Sequence, residues 1–344
     1  MRSFVILLIL AAGGWFGWRW YSDRQAAAKL AADQAAAAQH ATEVPPAPAP
    51  GPTPTAQQPA TGIIPADAPI PPELKAEYDR AEGIWQQVVA SGANPVGTAK
   101  APLLDHLYSD VLQGVYNKPG QKTFELKLIA ERLTPLGDSL FFSKTPFPDD
   151  ESGLFESHEV QPGENPDAIA RKYGMSRELL NRLRGRDPND SRLGAGDRLK
   201  VVKIKEKGGF LLHVDKSDYY LDCYVGGAFA RRYPISHGAP ETPTPTGKTH
   251  LTGRELNPSW TNPKNGKVYG PDDPENILGK VWMAFSPDGI DKNGLGIHGY
   301  TGPNPKMQAQ VSNGCIRLDT PQAQELFQTL ANPDRSPTAV ELAD

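Results

Sequence analysis

Cysteine is scarce in this chain: Cys223 and Cys315 are the only two in 344 residues. A disulfide framework needs more of them in a shorter sequence. Pairing these two would also leave no free thiol, so both are read as free, with Cys223 buried in a strand. The seven histidines show no metal-ligand spacing and no cysteine cluster stands beside them. No metal and no cofactor is therefore expected. The formal net charge is only −4 and no basic run occurs, so nothing points to nucleic acid. Long apolar runs are also missing, with one exception at Phe4 to Trp20. A comfortable bilayer span takes about 20 apolar residues, and this run is at the short end. Trp15, Trp18, Trp20 and Tyr21 crowd its far end like an interfacial aromatic belt. Residues 1–21 are expected to be a signal anchor or a cleaved signal peptide. The aromatic cluster favours the anchor, which would make the inner membrane a partner.

Proline and glycine are abundant instead, at 34 and 33 residues, and they are unevenly placed. Residues 22–72 read as a stalk and linker. Ala26 to Ala38 is alanine-rich and helical in pattern, and Glu43 to Pro72 is rich in Pro, Ala and Thr. Such a segment is an extended, semi-rigid spacer. Residues 73–150 carry helical periodicity in three stripes. Leu74, Tyr78, Ala81, Trp85 and Val88 form the first, Leu104 to Val115 the second, and Phe124 to Leu140 the third. The turn Asn117-Lys118-Pro119-Gly120 separates the last two. A small helical bundle follows, serving as a spacer or, alternatively, as a surface for a protein partner.

Residues 156–204 have a different grammar. A short strand at His158-Glu159-Val160 leads into Gly163-Glu164-Asn165-Pro166, where Asn165 suits an N-cap and Pro166 the first helical position. Gly174 ends that helix, Ser176 caps a second, and Arg198 to Val202 reads as a closing strand. From Phe210 onward the pattern turns to strands: Phe210 to Val214, Tyr219 to Val225, Phe229 to Ser236, Val281 to Phe285 and Ile297-His298. Lys207-Gly208-Gly209 is read as a hinge between the two, and a closing helix is expected from Thr320-Pro321 to Leu330.

The chemistry concentrates between Ile297 and Leu318. His298-Gly299 is followed by Ser312-Asn313-Gly314-Cys315-Ile316-Arg317. A thiol is reactive as its thiolate, and a neighbouring imidazole can take the proton. Gly314 lets the backbone approach a reacting carbonyl, and the amides of Gly314 and Cys315 could face an oxyanion. Taken alone, Cys315 could equally be a small buried hydrophobe.

This motif resembles the signature of the L,D-transpeptidase (YkuD-type) catalytic domain. Thr244-Pro245-Thr246-Gly247 and Asn257-Pro258-Ser259-Trp260 resemble two further pieces of that family's sequence, in the same order. The resemblance implies a mostly-β catalytic domain over residues 209–331. It also implies that Cys315 is the nucleophile, that His298 is general base and then acid, and that the Gly299 carbonyl orients the imidazole. Gly314 would supply an oxyanion amide, while Ser312 and Arg317 would support the site, Arg317 through a substrate carboxylate or as a structural ion-pair former. His213, His237 and His250 compete for the role of base, and the family's spacing favours His298. The implied reaction forms a thioester with a peptidoglycan tetrapeptide stem, releases D-alanine and passes the acyl group to an amine. A carboxypeptidase or other hydrolase of the same family, attachment to a protein lysine, and a non-catalytic wall-binding scaffold are the alternatives.

The strand-helix-helix-strand order with Gly163-Glu164-Asn165, Ile169-Ala170 before Tyr173-Gly174, and Gly196-Asp197 before Leu199 resembles a LysM module. Where that family has Gly-Asp-Thr-Leu, this chain has Gly163-Glu164-Asn165-Pro166. The resemblance implies binding of peptidoglycan glycan strands, with Gly163, Glu164 and Asn165 as the contact loop. Basic residues outnumber acidic ones from Glu156 to Lys207, which suits an anionic polymer. The expected fold class is thus multidomain: a mostly-β L,D-transpeptidase-like catalytic domain, a small βααβ LysM-like module, an N-terminal helical segment and a transmembrane or signal helix. The implied location is the bacterial cell envelope, outside the cytoplasmic membrane.

Overall fold

The computed structural model describes residues 70–263, 265–302 and 306–344. The expected anchor, stalk and most of the linker lie outside the described residues. Within them, no helix is long and apolar enough to cross a membrane.

Helices α1 (Pro72–Ala90) and α2 (Ala101–Val115) pack side by side, each opening with proline in its first turn. The third stripe is broken into α3 (Lys122–Leu128), a π-turn (Ile129–Leu133) and α4 (Thr134–Phe141). The π-turn presents Arg132 inward. That guanidinium is almost fully buried, donates to Glu82 at 3.0 Å and lies 4.3 Å from the Trp85 ring centroid. Tyr108 donates to the same carboxylate at 2.7 Å.

Strand β1 (Phe155–Glu159), α5 (Pro166–Tyr173), α6 (Arg177–Leu183) and β2 (Arg198–Val202) complete a βααβ unit, with β1 and β2 antiparallel. The Asn165 side chain accepts from the Ala168 N–H, and that of Ser176 from Leu179 N–H. Gly174 sits at φ +77°, and a Cβ there would strike Ser336 and Lys205. Backbone conformation and close packing both demand glycine at this point.

The catalytic region holds β3 (Phe210–Asp215), β4 (Tyr220–Val225), β5 (Ala228–Pro234), β6 (His237–Gly238), β7 (Gly247–Leu256), β8 (Trp260–Thr261) and β9 (Val268–Tyr269). They are followed by β10 (Val281–Phe285), β11 (Gly296–His298), β12 (Gln310–Ser312), β13 (Ile316–Arg317), α7 (Thr320–Thr329) and β14 (Thr338–Ala343). Eight strands form one sheet in the order β13-β11-β10-β7-β14-β3-β4-β5. Strand β14 lies inside that sheet, parallel to β3 and antiparallel to β7. The sheet therefore extends past residue 331, where the sequence reading ends the domain.

The helical segment is not a detached spacer. Helices α2 and α4 cover β5, the outer strand of the sheet. Phe229 donates its N–H to Asp105 at 2.7 Å, and a Cβ on Gly137 of α4 would meet the Ala230 carbonyl at 2.5 Å. Strand β4 is consequently buried on both faces, including Asp222. A buried carboxylate needs partners. Asp222 has Arg232 at 2.6 Å and the Tyr116 hydroxyl at 2.6 Å, and Arg232 also reaches Glu125 at 2.7 Å. The βααβ unit docks on α7, with Arg182 donating to Thr329 at 2.8 Å. The expected hinge is pinned in the same way. Gly208 and Gly209 both have positive φ, Phe210 donates to the Pro337 carbonyl at 2.9 Å, and a Cβ on Gly209 would lie 2.3 Å from that oxygen.

Candidate active site

Strands β11 and β13 run parallel at one end of the sheet, pairing Ile297 with Ile316 and His298 with Arg317. Alternation sends the two isoleucines into the core. His298, Cys315 and Arg317 all line one cavity of about 480 Å³, which Trp260 and Trp282 also border. The pairing across two short strands thus cancels the seventeen-residue separation of imidazole and thiol.

The loop before Cys315 is held from several sides. Gly314 adopts φ +111°, where glycine is strongly preferred. The Ser312 hydroxyl accepts from the Gly314 N–H at 3.0 Å and donates to the Cys315 carbonyl at 2.6 Å. Thr244 donates to the Gly314 carbonyl at 2.7 Å, and Thr242 to the Ser312 carbonyl at 2.9 Å. The Gly314 N–H, expected from the sequence to face an oxyanion, donates here to Ser312, folded back under the same turn.

Cys315 and Cys223 are both free, Cys223 buried within β4. The Cys315 thiol is half-buried, points its S–H toward the Gly294 carbonyl at 3.9 Å, and has its pKa raised by burial. The Gly296 N–H and the charges of Arg317 and Lys292 oppose that rise. His298 is buried, and burial drops its pKa to about 4, assisted by Arg317 and opposed by the Gly299 carbonyl. Nδ1–H donates to that carbonyl, which leaves the lone pair on Nε2. The ring lies 5.8 Å from Trp282. Gly299 is needed as glycine because a Cβ would meet Thr320 at 2.9 Å, at the start of α7. Near neutral pH both groups are therefore uncharged, and the imidazole keeps an unprotonated Nε2.

Arg317 stacks 4.2 Å from the Tyr300 ring centroid. It makes no ion pair with a carboxylate among the described residues, and its buried Nε–H has no partner among them. The expectation of a structural ion-pair role is not met; the guanidinium faces the cavity instead. The three competing histidines lie elsewhere. His213 is buried and stacked 3.9 Å from Tyr116, His237 bonds the Lys216 carbonyl at 3.0 Å, and His250 is exposed on β7.

In the βααβ unit, Gly163 has φ +86° and open space around it. One Glu164 oxygen, Oε2, bonds both His158 and the Gln161 N–H at 2.8 Å, and Asn165 Oδ1 makes the N-cap bond. These two side chains shape the loop that the sequence assigns to glycan contact. Sequence reasoning also passed over Lys292, whose Nζ donates to the Pro243 carbonyl at 3.0 Å and which lines the same cavity. Its only sequence signal is its position six residues before His298.

The sheet, the His298–Gly299 contact and the braced Cys315 turn make up a mostly-β domain with a histidine and a free thiol on one cavity. Residues 209–339 match the family model described as YkuD, the L,D-transpeptidase catalytic domain. Two Bacillus subtilis (strain 168) proteins provisionally named as L,D-transpeptidases are similar. YqjB is 36% identical over 98 residues, covering 28% of this chain and 53% of that protein. The match to YkuD is 26% identical over 181 residues, covering 52% of this chain and 96% of that protein. The chain thus spans about half of one relative and nearly all of the other. Among solved structures, the catalytic domain of an E. faecium L,D-transpeptidase acylated by ertapenem is 24% identical, with a TM-score of 0.30. That match covers 39% of this chain and 96% of that one. An L,D-transpeptidase from Mycobacterium tuberculosis H37Rv is 18% identical with a TM-score of 0.31, covering 39% of this chain and 57% of that one.

Proposed function

We propose that the protein is a peptidoglycan L,D-transpeptidase of the bacterial envelope, working through a cysteine thioester. The observation that carries this reading is that His298 and Cys315 line one cavity, with the imidazole neutral and its Nδ1–H committed to Gly299. Cys315 Sγ attacks the carbonyl that precedes the terminal D-residue of a tetrapeptide stem, and Nε2 of His298 takes the thiol proton. The tetrahedral oxyanion is met by the Cys315 N–H, since that of Gly314 is occupied. Collapse breaks the C–N bond, and His298 returns the proton to the departing amine of D-alanine. An acceptor amine then attacks the thioester, gives a proton to His298, and the thiolate is reprotonated as the new amide forms.

The βααβ unit, by its likeness to LysM, serves this reading as a glycan-strand holder. Its contacts would come from the loop Gly163-Glu164-Asn165, where Gly163 has open space around it. The apolar run at residues 4–20 would tether the enzyme to the membrane beneath the wall. The deciding experiment incubates the full chain with disaccharide-tetrapeptide and identifies products by mass. Cross-linked dimer with free D-alanine supports transpeptidation, and tripeptide alone supports hydrolysis. No change with either, alongside an unreactive Cys315, leaves only a wall-binding scaffold.

A further inference from the structure

Two cations border the cavity, Lys292 and Arg317, and Glu255 is the single acid lining it among the described residues. Arg317 lies two residues beyond the thiol, against Tyr300 and beside His298 in the strand register. Lys292 lies on the other side. It projects from the connection between β10 and β11, and a Cβ placed on Gly314 would stand 2.9 Å from its Nζ. The ammonium thus rests over the residue immediately before Cys315.

Lys292 is held in place there. Its Nζ donates to the carbonyl of Pro243, whose neighbour Thr244 is itself bonded to Gly314. No carboxylate lies within ion-pair distance of it among the described residues. An ammonium has three hydrogens to donate, and one is spent on Pro243. A fixed cation with donors to spare, facing a cavity beside a nucleophile, is a built receptor for an anion on the substrate.

The leaving D-residue carries such an anion. Its carboxylate is separated from the attacked carbon by three bonds, so it must fall beside the turn that presents Cys315. We propose that Lys292 binds the terminal carboxylate of the donor stem and so selects donors that end at the leaving residue. This rests on the transpeptidase reading above. A donor extended by one residue, or capped as an amide, has no charge at that position and forfeits the contact.

The test compares full-length wild type, Lys292→Gln and Lys292→Arg on two tetrapeptide donors, one with a free terminal carboxylate and one with a terminal carboxamide. The expected result is a preference for the carboxylate donor of about tenfold or more in kcat/KM for wild type. Lys292→Gln should erase that preference by slowing the carboxylate donor about tenfold more than the carboxamide donor, and Lys292→Arg should keep most of it. Alkylation of Cys315 by neutral iodoacetamide, run in parallel, reads how far Lys292→Gln alters the thiol itself, because the Lys292 charge favours the thiolate; that effect is common to both donors and cancels in their ratio. Equal losses on both donors overturn the proposal, as does a wild type that processes both equally well. The wild-type comparison stands even if a variant fails to fold. Turnover of neither donor by wild type overturns the transpeptidase reading, and this proposal with it.

Discussion

Thr244 donates a 2.7 Å hydrogen bond to the carbonyl of Gly314, from a position seventy residues earlier in the chain. The same hydroxyl oxygen accepts from the Gly238 N–H at 2.9 Å. One buried side chain therefore ties the β6 turn to the turn that carries the thiol. Thr244→Val keeps the volume and removes both bonds, leaving a buried donor and acceptor unmet. The expected cost is about 1–3 kcal/mol of stability. It should appear as a lower denaturation midpoint together with a loss of peptide turnover larger than the loss of iodoacetamide reactivity.

The protonation states make a sharp statement about pH. His298 must be neutral to accept a proton, and burial holds its pKa at about 4, below the ordinary imidazole range. The acid limb of kcat/KM should therefore fall near pH 4 rather than near 6.5. Iodoacetamide reactivity of Cys315 should keep rising above the ordinary thiol range, because burial raises its pKa. Linkage follows the same sign. A histidine with a depressed folded-state pKa contributes stability that is complete above its unfolded value of about 6.5 and is lost as pH falls through about 4. His298→Gln should lose turnover and soften that acid destabilisation, measured by thermal melts across pH 3.5 to 7.

Gly314 offers a steric test. Its φ of +111° disfavours any side chain, and a Cβ would press on Lys292 and Leu295 at 2.9 and 3.0 Å. Gly314→Ala should reduce turnover by about a hundredfold or more, since misplacing reacting groups by an ångström costs on that order. Far-ultraviolet circular dichroism should remain unchanged, which locates the defect in the turn.

The helical segment should prove indispensable to the catalytic domain. Arg232 bridges the carboxylates of Asp222 and Glu125 between sheet and helices. Arg232→Met leaves Asp222 buried without its cation, at an expected cost of about 3–5 kcal/mol, while Glu125 keeps Lys122 at 3.2 Å. A chain starting at residue 209 would expose the edge of β5 and the apolar face that α2 and α4 cover. It should aggregate or fail to melt cooperatively, whereas a chain starting at residue 70 should melt in one transition.

Much of the site was legible from the chain because its parts are local. His298-Gly299 and Ser312 to Arg317 carry their geometry in short-range chemistry: glycine at a positive φ, a serine folding onto its own turn, a carbonyl next to its imidazole. The caps at Asn165 and Ser176 were legible for the same reason, since an N-cap bond spans only three residues. Strand β14 was not, because six residues of weak alternation gain their place only from β3 and β7 on either side. Lys292 was equally hidden: a lone lysine in a loop looks like solvent-facing charge until the Pro243 carbonyl and Gly314 are seen against it.

The amino-acid sequence alone determined that this protein carries one free, motif-borne thiol with a histidine ahead of it, set in a strand-rich segment behind two helical ones. Those features depend on residue type and short spacing, where backbone sterics and side-chain hydrogen bonding act over a few positions. Only the tertiary structure decided that the Gly314 N–H meets Ser312, that Lys292 stands over the turn before Cys315, and that the helices seal the sheet instead of standing apart from it. The last two turn on contacts between distant residues, and such contacts form only where burying apolar surface offsets the entropy of bringing distant segments together.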